Sequence, residues 1–276
     1  MVIRILLLLS VLALPGCAFF SRKPPLPKHA SFERVPKPAA DTDFAALVAN
    51  ADVIFFPRDR AASGSRSEPA ALLFEALQQT AKPFALGWDI IDANQQQLLD
   101  ELATKSGEMR EEAIAGLQLI GSGRAREHCR AVLRGAQAPG LQHLALRCPA
   151  LLLARVASSE TLAPTEEKEL PSGFKVPPDG LQGYAERFPT LRGLNERSLV
   201  ASYRVDVARL QFAAERIVRH FRAAGRDSKL LVFSGTADLE AAEGVPYYVA
   251  QKLKLRQLVL GSNAPKVEPP KLLTHL

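Results

Sequence analysis

Arginine and aspartate stand where this chain could do chemistry, just past its apolar runs. Arg58 and Arg60 follow one apolar run, Asp89 follows a second, and Asp238 lies just past a third. A guanidinium stays protonated and has no lone pair, so it can neither ligate a metal nor accept a proton. It can hold a carboxylate through two parallel hydrogen bonds. Two arrangements are therefore open. Arg58 or Arg60 pairs with Asp89 or Asp238 and plugs the site with salt bridges, or the guanidinium forks make a pocket for an anionic ligand. Among the four tyrosines (Tyr184, Tyr203, Tyr247, Tyr248), Tyr247 and Tyr248 follow Pro246 and are best placed to face a cleft. A buried tyrosine more often packs in a core with its hydroxyl satisfied. The candidate ligand-binding residues are thus Arg58, Arg60, Asp89, Asp238, Tyr247 and Tyr248. No catalytic residue and no metal ligand is expected. His29, His128, His143, His220 and His275 have no metal-ligand spacing among them. There is no Gly-x-Ser-x-Gly, no Gly-rich phosphate loop and no dinucleotide fingerprint, and Ser63-Gly64-Ser65 reads as a plain loop.

The elements that would position these residues alternate between strands and helices. Short apolar runs at Asp52–Phe56, Pro83–Trp88, Leu141–Leu146, Ser228–Phe233 and Arg256–Leu260 read as buried strands. Helices are expected after Ser67 with Pro69 in the first turn, after Asp92 with Leu98, Leu99 and Leu102 on one apolar face, and over 108–119 and 125–136. Others open at Pro149, run from about Glu196 to Ala224, and span Val245 to Leu253. Thr161 to Gly193 is rich in Pro and Gly and reads as a long loop or insertion. The expected fold class is α/β: a mostly parallel sheet with helices on both faces, in a single domain over 43–262. Ligands of such sheets bind beyond the carboxyl ends of the strands, here after Phe56, Leu86, Leu146 and Phe233.

A fourth chemical position lies outside that domain. Arg4 precedes an apolar run from Ile5 to Leu14 that ends in Leu14-Pro15-Gly16-Cys17. A core of that length is too short to span a bilayer and suits a signal peptide. An aliphatic and a small residue before cysteine resemble the bacterial lipobox, in which the thiol of Cys17 is acylated and becomes the new N-terminus. Several acyl chains would give lasting attachment to membrane lipid. The expectations are a lipoprotein signal peptide over 1–16, a lipidated Cys17 with a Pro-rich tether over 17–42, and a Pro-rich tail over 263–276. The expected location is the bacterial cell envelope, at the outer membrane facing the periplasm. Lys and Arg number 35 against 29 Asp and Glu, a net charge of +6. The basic residues are scattered with no interleaved aromatics, which argues against nucleic acid as a partner. Cys129 and Cys148 are read as two separate buried thiols, with a disulfide as the alternative in an oxidising compartment.

The strand-end segments together resemble the ChaN-like haem-binding lipoproteins, which belong with the TraB/Tiki and erythromycin-esterase group. Asp52 to Phe56 with the helix after Ser67 resembles the family's opening. Asp89-Ile90-Ile91-Asp92 through Gln96 to Leu99-Asp100 is similar to its Glu-Met-Phe…Gln…Leu-Asp segment. Leu144-Ala145-Leu146-Arg147-Cys148-Pro149 is similar to its Ala-Leu-Asn-x-Pro turn. Ser234-Gly235-Thr236-Ala237-Asp238 followed by Gly244-Val245-Pro246 resembles its Gly-x-Gly-His…Gly-Val-Pro motif. The resemblance spans most of Asp52 to Ser262. It implies haem as a ligand with a tyrosine on iron, a role in haem or iron uptake, and a homodimer as a candidate assembly. The departures fall on the chemistry. Where the family has Gly-Glu-x-His, this chain has Pro57-Arg58-Asp59-Arg60; Asp89 stands for a Glu and Asp238 for a His. The expectation is a binding protein without enzymatic activity, a pseudoenzyme. The alternatives are a metal-dependent hydrolase of the TraB/Tiki/erythromycin-esterase type and an envelope interaction protein with an inactive site.

Overall fold

The computed structural model describes residues 32–35, 43–58, 69–136, 141–158, 168–225, 227–241 and 243–261. In chain order these form β1 (Phe32–Val35), α1 (Phe44–Asn50), β2 (Val53–Pro57), α2 (Pro69–Gln78) and β3 (Phe84–Asp92). A 3-10 turn (Ala93–Gln95) leads into α3 (Gln96–Leu102), followed by α4 (Gly107–Gly116), α5 (Gly123–Gly135), β4 (Gln142–Arg147) and α6 (Ala150–Ser158). Then come α7 (Gly180–Arg187), a 3-10 turn (Pro189–Gly193), α8 (Glu196–Ala224), β5 (Lys229–Ser234), α9 (Thr236–Glu240), α10 (Val245–Lys252) and β6 (Gln257–Leu260).

The strands make one six-stranded sheet in the order β1-β6-β2-β5-β3-β4, with every pairing parallel. A parallel strand needs a crossover to reach its neighbour, and the helices that supply those crossovers cover both faces. The period of two then divides the apolar strand residues between two layers. Ile54, Phe56, Leu86 and Trp88 pack with α2, α3 and α5, whereas Val53, Phe55, Leu146 and Val232 pack under α8 and α10. Each buried Leu, Val or Phe contributes about 1.5–3 kcal/mol, so the two layers supply the main driving force. Gly87 keeps the second layer tight: a Cβ there would lie 2.8 Å from Leu146 Cδ1 and 3.3 Å from Val232 Cγ2.

Buried cations finish helix ends that the core leaves open. Lys229 Nζ donates to the carbonyls of Val48 (2.6 Å) and Ala51 (2.6 Å) at the end of α1. The buried Arg110 donates to the carbonyls of Leu102, Leu133 (2.9 Å) and Ala136 (3.1 Å), closing α3 and α5 together. Carbonyls left without partners in such places cost free energy.

Three expectations are corrected. Phe32–Val35 falls in the segment read as tether, yet it forms the edge strand beside β6. Four residues without a hydrophobic run give little sequence signal, and the strand is specified by the open edge of β6. The segment read as a long loop contains α7 and the 3-10 turn, held through Tyr184, Phe188 and Tyr203. In the helix after Asp92, Leu99 and Leu102 are buried but Leu98 is exposed. Cys129 and Cys148 are both buried free thiols, as read from the sequence. Burial pushes the Cys148 thiol up to about 12, so it stays protonated and inert.

Candidate functional site

Register brings the chemistry to the carboxyl ends of the central strands. Pro57 of β2 lies opposite Ser234 of β5, and Trp88 of β3 lies opposite Phe233. Arg58, Asp89 and Ser234 therefore emerge side by side. The β3–β4 pairing shifts between Trp88 and Asp92, and that irregularity re-aims the chain at Asp89. The buried Asp89 carboxylate is held from three sides. Arg58 Nη1 donates to Oδ1. Ser234 Oγ (3.1 Å) and the Gly235 amide (2.8 Å) donate to Oδ2.

A second set of ion pairs abuts the first. Arg209 of α8 forks onto Asp238, with Nη1 at 2.5 Å from Oδ2 and Nη2 at 2.6 Å from Oδ1. The same Nη2 donates to Asp206 Oδ1 at 2.7 Å, and Arg187 of α7 donates to Asp206 Oδ2. The guanidinium of Arg187 stacks 4.7 Å over the ring of Phe188, which fixes its plane. Burial alone would raise the Asp238 carboxyl, but the hydrogen bonds and charge of Arg209, with Arg58 and Arg187 behind it, hold it below the usual range. The Arg209 guanidinium is correspondingly raised against its own burial. Gly235 lies beside both sets: a Cβ there would sit 3.4 Å from Asp238 Oδ2 and 3.5 Å from Arg58 Nη2, at ordinary contact distances. A Cβ on Gly244 would sit 2.1 Å from the Asp238 carbonyl oxygen, which is why glycine must precede Val245-Pro246.

Arg147, the last residue of β4, behaves differently from the other three arginines. Among the described residues it forms neither a hydrogen bond nor an ion pair, and its Nε–H, like those of Arg58 and Arg187, is buried with no acceptor. It is half-buried, and its pKa is lowered first by that burial and then by the charge of Arg209. Asp89 and Asp92 act on it only at longer range, and Arg58 opposes it.

The structure brings together Arg58, Asp89 and Asp238 of the sequence-predicted set. Asp238 pairs with Arg209, while Arg60 and Cys17 lie outside the described residues. Tyr248 does not face a cleft. It is 4% exposed, packs with Val218, Val245 and Val249, and its hydroxyl is buried. Helical spacing explains this, because α10 turns Tyr248 inward with Val245 and Val249. Tyr247 is half-buried at the edge of that cluster. Tyr203 donates to the Pro177 carbonyl at 2.8 Å, and Tyr184 is buried beside it. Sequence reading missed Arg147, Arg187, Asp206 and Arg209. Asp206 and Arg209 at i, i+3 on the long helix were the available signal.

Chemically, the cluster is a bed of four guanidiniums on three carboxylates. It can hold an anion. It offers no imidazole, and among the described residues no group of three or more His, Cys, Asp or Glu is placed to hold a metal. A cavity of about 580 Å³ opens elsewhere, along the β4 edge, lined by Gln96, Leu99, His143, Arg216, Arg219 and His220.

Residues 44–249 match the family model described as haem-binding uptake, Tiki superfamily, ChaN. The fold is similar to that of ChaN of Campylobacter jejuni, solved with cofacially bound haem: TM-score 0.59, 12% identity, covering 84% of this chain and 88% of that one. An erythromycin esterase mutant in its open conformation aligns at TM-score 0.43 and 14% identity over 78% and 70% of the two chains, too distant to carry an argument. No curated protein sequence matches the chain. With three quarters of its length matched by that model, this chain belongs to the ChaN haem-binding uptake family of the Tiki superfamily.

Proposed function

We propose that this protein is a lipid-anchored envelope protein that binds haem through its carboxylates for haem or iron uptake, and that it does not catalyse hydrolysis. The observation that carries the reading is the guanidinium cluster at the carboxyl ends of β2, β3, β4 and β5, within a family described by haem-binding uptake. Asp89 and Asp238 are each occupied by arginine, so neither is free to ligate a metal or take a proton from water. The buried, acceptorless Nε–H of Arg147 suits a propionate, which supplies the missing acceptor. Haem iron, when bound, would supply a Lewis-acidic centre that takes a phenolate. Tyr247 is the tyrosine left for it, because Tyr184 is buried and the hydroxyls of Tyr203 and Tyr248 are satisfied or buried.

Absorbance titration of the purified protein with haem tests the reading. A saturable Soret shift, altered by Tyr247→Phe, is expected. Absence of any spectral response would overturn haem binding and leave an envelope interaction protein. Metal-stimulated ester or peptide hydrolysis abolished by Asp89→Asn and Asp238→Asn would favour the hydrolase instead.

A further inference from the structure

We infer that Arg147 is the primary anion-binding residue of this site, taking an oxyanion bidentately at the carboxyl end of β4. The inference rests on the anion-pocket reading above but names a residue and ligand class that the paired arginines cannot supply. Arg58 is committed to Asp89, Arg209 to Asp238 and Asp206, and Arg187 to Asp206. Four guanidiniums against three carboxylates leave one positive charge, and it resides on Arg147. An arginine that served stability alone would have a carboxylate or carbonyl to hold, as Arg110 and Arg216 do. Arg147 instead makes no hydrogen bond and no ion pair among the described residues, its Nε–H is buried with no acceptor, and like charges from Arg209 and Arg58 lie beside it. Those neighbours are fixed by their own aspartates, so they add field without competing for the ligand. The first turn of α6 begins three residues on, at Ala150, so the positive end of a nine-residue helix follows directly on the carboxyl end of β4. Asp92 lies across the β3–β4 register from Arg147, yet its side chain accepts from the Asn94 amide at 3.0 Å and caps the turn there.

The chemistry recognised is an oxygen anion with two oxygens in one plane, which a carboxylate and a phosphate both present. The test is a titration of isotopically labelled full-length protein, followed by the Nε–H resonances of its arginines. The Arg147 signal is assigned by its absence from Arg147→Gln. Inorganic phosphate and propionate are the two probes. A saturable shift of the Arg147 signal with either one supports the inference, and the probe that saturates first identifies the source. In Arg147→Gln the response of the remaining arginines should require at least about tenfold more of that anion. The variant should also melt at the same temperature or higher, because it loses a half-buried unpaired charge. No shift with either probe up to tens of millimolar would show a merely solvated arginine and overturn the inference. A lowered melting temperature with unchanged anion binding would assign Arg147 a structural role and do the same. Saturable anion binding without a haem spectrum would sink haem as the ligand and leave Arg147 in place.

Discussion

Asp89 and Asp238 each accept from an arginine, Arg58 and Arg209 respectively, and the protonation chemistry of the fold lies elsewhere. His143 is 2% exposed, and its Nδ1 accepts from Trp88 Nε1 at 3.3 Å. Burial, reinforced by the charge of Arg110, lowers its pKa from 6.5 to about 4. Above pH 6.5 the folded and unfolded chains both carry neutral imidazole, so His143 adds no pH dependence there. As pH falls below 6.5 the unfolded chain takes up a proton that the folded one refuses until about pH 4, and stability is lost across that window. The loss from this residue between pH 7.5 and 4.5 should be about 2–3 kcal/mol. Urea unfolding of wild type and His143→Asn at those two pH values checks it. His220 is lowered in the same sense and adds to the slope. Equal slopes in the two proteins would contradict the assignment. Asp238, with a lowered carboxyl pKa, loses its contribution only below the ordinary carboxylate range and does not blur the window. At this scale the sequence exposed Arg58, Asp89 and Asp238, because their types are unusual at strand ends. It hid the pairing, because Arg209 comes from α8 and Arg187 from α7, both remote in sequence. Arg147 was in plain view within Leu-Arg-Cys-Pro, but only the absence of a partner distinguishes it, and partners are a tertiary property.

β4 is an edge strand in a sheet of exposed-edge risk, and side chains occupy its outer hydrogen-bonding groups. Gln96 of α3 donates from Nε2 to the His143 carbonyl at 2.7 Å and accepts at Oε1 from the Ala145 amide at 2.9 Å. Arg216 of α8 donates from Nε to the Ala145 carbonyl at 3.0 Å and from Nη2 to Gln96 Oε1 at 2.6 Å. Together they imitate a neighbouring strand and block the addition of another chain. Asp100 accepts from the Gln96 amide at 2.8 Å, so the Gln…Leu-Asp spacing read from the sequence turns out to be an edge cap. Gln96→Ala should cost about 1–3 kcal/mol by leaving the Ala145 amide unpaired, and should raise self-association. Chemical denaturation and light scattering measure the two effects; unchanged stability with no association would contradict the role. Five of the six strands and most helices were legible because apolar runs and caps are local signals. The β1 strand and α7 were not, since the first answers an open edge and the second packs its aromatics on α8. Gly244 marks the opposite case, where a motif visible in sequence has a steric cause visible only in three dimensions.

For the whole molecule, the fold puts the proposed anion site at one end of a parallel sheet, and the lipidated Cys17 with the tether over 17–42 is the proposed means of attachment. Among the described residues no helix is long and apolar enough to cross a membrane; the attachment proposed above is through Cys17. Cys17→Ser should release the protein from membranes on detergent-free washing, whereas wild-type fractionation in the variant would contradict lipidation. The central claim is that the ligand is recognised by its carboxylates at this site. Absorbance titration with haem and with haem dimethyl ester, under identical buffer and salt, tests it most directly. A charge-assisted guanidinium–carboxylate contact is worth about 1.5–3 kcal/mol, so haem should bind at least about tenfold more tightly than the ester. Arg147→Gln should erase most of that difference while Arg187→Gln should not. Equal affinities for haem and its ester in the wild type would contradict the account.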